Sequence, residues 1–177
     1  MKMSFRHLLV FFFLCIATFA SAQRCKYLVD EKDPITDDII RTVKNRITGP
    51  ISGLTPYYYF YYIRSGSDYK IRVEIADYGA QTHSIPKGSE LIIRLEDGGL
   101  IRINSIEEAQ PKELKEVTEV LTGYDVLYQI AEEDMKKIVN SGIVFIRGLD
   151  FKNSFSDQKI PTPITKSSKF NAGCIFK

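Results

Sequence analysis

The clearest pattern in the chain is a strict alternation of apolar and polar residues over positions 69–75. The apolar set is Tyr69, Ile71, Val73 and Ile75, and the polar set is Lys70, Arg72 and Glu74. A period of two predicts a β-strand with one buried face. Six consecutive aromatic residues, Tyr57 to Tyr62, precede this strand, and the intervening Ser-Gly-Ser-Asp is typical of a turn. The two segments are therefore predicted to form a hairpin.

The register of this hairpin decides which aromatic residues are buried. Pairing Arg64 with Tyr69 places Tyr58, Phe60 and Tyr62 on the core face, because residues opposite one another in a hairpin share a face. The other face then carries Tyr57, Tyr59, Tyr61, Lys70, Arg72 and Glu74. A slip of one residue would exchange the two faces. We favour the first register because it buries Phe60 and keeps the charged side chains beside hydroxyl-bearing rings.

A second hairpin is predicted from the apolar segments 89–95 and 100–104 and the Glu-Asp-Gly-Gly between them. A three-residue loop, Asp97–Gly99, would place a glycine where the backbone needs a positive φ. A two-residue loop would instead bury an arginine. The three-residue loop gives these neighbours: Leu95 opposite Ile101, Ile93 opposite Ile103, and Arg94 beside Arg102 on the outer side.

The strongest helix signal lies between Ala131 and Gly142. Glu132 stands four residues before Lys136, a spacing that supports an ion pair on a helix, and Gly142 can end the helix. The poor feature is Ala131, which occupies the position where a polar cap is preferred.

The other segments complete the prediction of fold class. Residues 39–48 fit a helix or a strand, and their β-branched content favours a strand. Residues 49–56 are predicted to be a connection, residues 25–38 a loop, and residues 105–120 a loop or a strand that begins near Glu116. Strands are predicted at 123–130 and 143–151. The fold class is therefore α+β to mainly β, an antiparallel sheet or sandwich of about six to eight strands with one firm helix.

The first 22 residues have the order of a secretory signal peptide. A short basic start is followed by an apolar run and by the small residues Ala20-Ser21-Ala22. The apolar run is shorter than the ~20 residues that a membrane-spanning helix needs. A lipid-modified start at Cys15 is the less favoured alternative. We therefore expect an exported chain, periplasmic or extracellular, with residues 23–177 as a single β-rich domain and no transmembrane segment after cleavage.

Two cysteines remain in the predicted mature chain, Cys25 and Cys174, one near each end. In an exported protein two such residues predict a disulfide, and unpaired thiols are the alternative.

Charge and composition exclude several classes of function. Removal of Lys2 and Arg6 with the signal peptide leaves 22 basic and 22 acidic residues, so binding of nucleic acid by bulk charge is not expected. His83 is the single histidine of the mature chain, and we interpret it as a loop residue. The acidic segment Asp30–Asp38 lacks the spacing of a calcium loop. No phosphate-binding glycine motif is present. From these observations together, no catalytic residue, metal or cofactor is predicted.

The aromatic face is the candidate ligand-binding site, with Tyr57, Tyr59, Tyr61 and Arg72 as its residues. A covered sheet face is the alternative interpretation. The hypothesis that we favour is a non-enzymatic binding module for a protein or a glycan in the cell envelope. The alternatives are a carboxylate-dependent envelope hydrolase using Glu74, Glu90 or Glu96, and a structural subunit that assembles through its sheet edges.

Three segments carry a resemblance: the cysteine after the signal with the acidic DEKDPIT, the hairpin LIIRLEDGGLIRI, and the ending YQIAEEDMKKIVNSGIVFIRG with a late cysteine. In these segments the chain resembles a group of small exported proteins of Bacteroidetes-type bacteria. Ala131 departs from the polar cap expected in the group. The group has no assigned activity, so the resemblance implies export and a β-rich fold and assigns no catalytic residue.

Overall fold

Ten strands and two helices make up the described part of the chain in the computed structural model. The structure describes residues 24–48, 57–79, 82–116, 119–149 and 155–177. The predicted signal peptide and the predicted connection 49–56 lie outside these residues.

Six strands form one antiparallel sheet, in the order β1-β2-β3-β4-β8-β7. Their bounds are β1 Val29–Lys32, β2 Ile39–Thr48, β3 Tyr57–Ser65, β4 Asp68–Tyr78, β7 Lys112–Glu116 and β8 Glu119–Ile130. The first four strands in the chain are also neighbours in the sheet. The strand prediction for residues 39–48 is therefore confirmed.

The register of the aromatic hairpin is the predicted one. Arg64 stands opposite Tyr69, and a two-residue turn, Gly66-Ser67, joins β3 to β4. Tyr58, Phe60 and Tyr62 are buried on the same face as Ile71 and Val73. The alternation in β4 was sufficient to identify this register, since a one-residue slip would have placed Phe60 among charged side chains.

The remaining strands form a second antiparallel sheet, in the order β10-β9-β5-β6. Their bounds are β5 Glu90–Leu95, β6 Leu100–Asn104, β9 Ile143–Leu149 and β10 Phe155–Lys159. A single bridge between Ser105 and Tyr128 joins the end of β6 to β8. The mainly antiparallel α+β class is thus as predicted, with more strands than expected.

The predicted register of the second hairpin is wrong by two residues. Ile93 stands opposite Ile101, and the Leu95 N–H donates to the Gly99 carbonyl, so the loop is Glu96–Gly98. Gly98 has the positive φ of 88° that this loop requires. Because the loop still has three residues, the predicted faces are correct: Ile93, Leu95, Ile101 and Ile103 are buried, and Arg94 and Arg102 are exposed.

Helix α1, Glu132–Ser141, confirms the predicted helix. Ala131 provides no side-chain cap, and the Gly142 N–H donates to the Ile138 carbonyl at a φ of 82°. The Lys136 ammonium lies 2.6 Å from the Glu132 carboxylate, as the spacing predicted. Met135 and Ile138 are fully buried and join the inward residues of both sheets in one core.

Helix α2, Thr162–Cys174, was not predicted. It packs through small and polar residues, since the Thr165 hydroxyl donates to the Ile143 carbonyl and the Ile143 N–H donates to Ser168 Oγ. At its end the sulfur atoms of Cys25 and Cys174 lie 2.11 Å apart, which is disulfide distance. The helix is therefore hydrogen-bonded to β9 through Thr165 and Ser168, and its last residue is paired with Cys25.

Two short edge strands were not predicted as such, because residues 25–38 were expected to be a loop and residues 105–120 a loop or a strand that begins near Glu116. β1 falls within the predicted loop 25–38, and β7 follows directly on Pro111. Both are at the edges of the six-stranded sheet, where one side of the strand is unpaired within the described sheet.

Candidate functional site

The outward side of the six-stranded sheet brings the predicted aromatic and cationic residues together. Cross-strand pairing aligns Lys44, Tyr61, Arg72 and Leu127 in one row and Arg46, Tyr59, Glu74 and Asp125 in the next. We call these residues, with Lys70, the polar sheet face. Rigid strands hold the side chains in place, which is how binding constellations are positioned most accurately.

Tyr61 is the centre of the face, although its side chain is only 5% exposed. Its hydroxyl donates a hydrogen bond of 2.7 Å to Glu74 Oε2. Burial, together with this hydrogen bond to a carboxylate, raises the pKa of Tyr61 to about 12. The ring therefore supports its neighbours and presents little of its own surface to a ligand.

Two cations cover the rings from the adjacent strands. The Lys44 ammonium lies 3.9 Å from the ring centroid of Tyr59 and 5.1 Å from that of Tyr61. The Arg72 guanidinium carbon lies 3.9 Å from the Tyr61 centroid. These are favourable cation–π distances. Cationic groups therefore lie over the tyrosine rings that were predicted to form the binding surface.

Neither Lys44 nor Arg72 forms an ion pair within the described residues. Arg72 Nε is buried and has no hydrogen-bond partner among them. Both cations are thus held in place by rings, and the rings do not neutralise their charge.

The two carboxylates of the face are already engaged. Glu74 accepts from Tyr61, and Asp125 Oδ2 accepts from the Lys112 ammonium at 2.5 Å. Asp125 Oδ1 is buried and unpartnered within the described chain. The face therefore offers more accessible donors than accessible acceptors.

Three of the four predicted site residues lie together on the polar sheet face. Tyr59, Tyr61 and Arg72 lie side by side on the polar sheet face, as expected. Tyr57 has its backbone in β3 opposite Ala76, and its side chain lies outside the described ones. Lys44 was missed because residues 39–48 fitted two element types. If residues 39–48 are taken as a strand, alternation places Lys44 on the outward face, and this could have identified it.

The three glutamates considered for hydrolysis are not brought together. Glu74 lies on the six-stranded sheet with Tyr61, whereas Glu90 lies on β5 and pairs with Arg102 at 3.0 Å. Glu96 is exposed in the loop between β5 and β6. A paired-carboxylate mechanism needs two of them across one cleft, which this arrangement does not provide.

The acidic segment before β2 is organised as a turn. Asp33 Oδ1 accepts hydrogen bonds from the backbone N–H groups of Ile35 and Thr36, and these bonds lower the pKa of Asp33. Lys32 pairs with Asp37 at 2.6 Å. In the part of the chain that the structure describes, no group of three or more His, Cys, Asp or Glu side chains is arranged to hold a metal ion.

A pocket of about 410 Å³ opens beside the β3–β4 turn, away from the polar sheet face. It is lined by Asp37, Asp38, Ile39, Arg64, Gly66, Ser67, Tyr69 and Glu132. Arg64 is committed to the backbone, because Nε donates to the Gly66 carbonyl and a second nitrogen to the Ile175 carbonyl. Glu132 is paired with Lys136. The charged groups of Arg64 and Glu132 in this pocket therefore already have partners within the protein.

Comparisons with known proteins leave the site to be interpreted from its own chemistry. No family model matches the chain, and no curated protein or solved structure matches it. Across residues 24–48, 57–79, 82–116, 119–149 and 155–177, none of the helices is both long and apolar enough to span a bilayer.

Proposed function

We propose that this protein is an exported, non-enzymatic binding module of the cell envelope that engages its partner through the polar sheet face. The observation that carries the proposal is the placement of Lys44 and Arg72 on either side of Tyr61, without an ion-pair partner among the described residues. Export is supported by the signal-like start and by the cysteine pair at disulfide distance.

The composition of the face supports binding. Tyrosine and arginine are enriched at the residues that dominate binding energy in protein interfaces. Tyr61, Glu74 and the two cations are fixed before a partner arrives, since each contacts a neighbouring strand. A preorganised surface loses less conformational entropy when it binds.

A crosslinked pull-down from the native cell envelope, read by mass spectrometry, tests the proposal. The test variant is Lys44→Ser/Tyr59→Ser/Arg72→Ser, which leaves the buried Tyr61 in place. The control is Arg94→Ser/Lys166→Ser, because both residues are exposed and lie on β5 and α2, outside the polar sheet face. Circular dichroism and thermal unfolding establish that both variants fold.

The expected result is a partner that the native protein and the control capture and that the triple variant does not. Equal capture by all three proteins would place the binding surface elsewhere and overturn the proposal.

A further inference from the structure

We infer that the partner of the polar sheet face is an acidic, extended segment of another protein. This inference rests on the proposed function and names the chemistry of the ligand. It is argued from the balance of charge, from the occupation of the rings, and from the spacing of the cations along the strands.

The balance of charge favours an anionic ligand. The face carries the cationic side chains of Lys44, Lys70 and Arg72, which form no ion pair among the described residues, and two carboxylates, Glu74 and Asp125. Both carboxylates already accept hydrogen bonds, from Tyr61 and Lys112. Neither carboxylate pairs with Lys44 or Arg72, so the carboxylates of a ligand can accept from both cations, and such charge-assisted hydrogen bonds are the stronger ones.

The occupation of the rings argues against stacking of a sugar. A sugar ring stacks on an open aromatic face, but the Lys44 ammonium lies over Tyr59 at 3.9 Å and the Arg72 guanidinium lies over Tyr61 at the same distance. Tyr61 is also nearly fully buried. The ligand is thus expected to contact the cations that cover the rings.

The spacing of the cations fits an extended polypeptide. Lys70 and Arg72 are two residues apart on β4. Alternate residues of a strand lie on the same side about 7 Å apart. The alternate side chains of an extended peptide have the same spacing, so acidic residues at every second position can meet successive cations on one strand.

The probe is a fluorescently labelled synthetic peptide of alternating Glu and Ser, with the Gln-Ser peptide as its neutral counterpart. Fluorescence polarisation with the mature protein should show binding of the Glu peptide only. The affinity should fall as NaCl rises from about 50 mM to about 500 mM, because salt screens exposed charges.

The variant Lys44→Glu/Arg72→Glu should weaken the binding of the Glu peptide at least about ten-fold, equivalent to about 1.4 kcal/mol. The control Arg94→Glu/Lys166→Glu makes the same change in net charge at exposed positions on β5 and α2, outside the face. It should stay within about two-fold of the native protein, because its charges are not at the site. If the charge-reversed variant does not fold, Lys44→Gln/Arg72→Gln takes its place with the same expected direction.

Three outcomes would overturn the inference. The two double variants could lose equal affinity, which would mean that net charge alone attracts the peptide. The face could bind polygalacturonate and ignore the Glu peptide, which would make the ligand an acidic glycan. In the third outcome, neither acidic probe binds, but capture from the envelope still depends on Lys44 and Arg72. The proposed function would then stand, and the inference of an acidic protein ligand would be wrong.

Discussion

At the scale of single residues, Tyr61 shows how a side chain on the outward face of a strand becomes buried. The alternation places Tyr61 on the outward face of β3, and its cross-strand neighbours Lys44 and Arg72 are residues typical of a surface. Long cationic side chains from both neighbouring strands lie over the ring, and Glu74 accepts a hydrogen bond from its hydroxyl. Alternation predicts the direction of a side chain, whereas burial also depends on the length of its cross-strand neighbours.

The protonation of the buried tyrosines leads to a prediction for alkaline pH. Burial and Glu74 raise the pKa of Tyr61 from 10.0 to about 12, and burial raises the pKa of Tyr62 and of Tyr128. A folded-state pKa above the unfolded value means that stability is constant below pH 10 and falls as the pH rises through 10 towards 12. Unfolding should therefore become easier in this alkaline window.

A spectrophotometric titration of tyrosinate, with circular dichroism recorded on the same samples, measures this effect. We expect the exposed tyrosines to ionise first and the buried ones to ionise together with unfolding. Tyr61→Phe should remove one late-ionising group and, because a hydrogen bond to a carboxylate is lost, lower the free energy of unfolding at neutral pH by about 1 to 2 kcal/mol. Ionisation of all ten tyrosines near pH 10 with the fold intact would contradict the assignment.

At the scale of elements, the segments that could be predicted are those whose buried residues are apolar. The aromatic hairpin and α1 follow from alternation and from helical spacing. Helix α2 buries Thr165, Ser168 and Ala172, which have helical spacing but are small or polar, so hydrophobicity does not mark them. The edge strands β1 and β7 are rich in charged residues, which protect a sheet edge from pairing with another chain. Because they lack an apolar pattern, hydrophobicity does not predict them either.

The turn between β3 and β4 provides a test of what fixes the aromatic register. Gly66 has a φ of 59°, and an added Cβ would lie 2.7 Å from Asp38 Oδ1. Gly66→Ala should lower the free energy of unfolding by about 1 to 2 kcal/mol, because a left-handed backbone is unfavourable for alanine and the Asp38 side chain must move.

Urea unfolding of Gly66→Ala, Asp38→Ala and the double variant separates the two costs. The loss caused by Gly66→Ala should be smaller in the Asp38→Ala background, since only the backbone cost remains there. An alanine variant as stable as the native protein would show that this turn does not constrain the hairpin.

At the scale of the whole molecule, the candidate site is a property of the assembled sheet. Sequence spacing placed Tyr59, Tyr61 and Arg72 on one face because they lie on two strands of one local hairpin. It could not place Lys44 or Asp125 there, since β2 and β8 join the face only through pairing with β3 and β4. The aromatic part of the site was therefore predictable, and its surplus of cations was not.

The bridge between Cys25 and Cys174 gives the last prediction. Cys25 and Cys174 are 149 residues apart, and the chain-entropy model gives a bridge of that span about 5 kcal/mol, less any strain. Cys25→Ala/Cys174→Ala should therefore lower the free energy of unfolding by about 2 to 5 kcal/mol. Local opening should rise most in α2, which ends at Cys174, while its hydrogen bonds with Asn45 and Ile143 and its packing against α1 would remain. Urea unfolding with hydrogen exchange measures both effects, and a reductant should reproduce them in the native protein while leaving the double variant unchanged. Unaltered stability and exchange in the double variant would mean that packing alone holds α2, and that the chain ends need no covalent link.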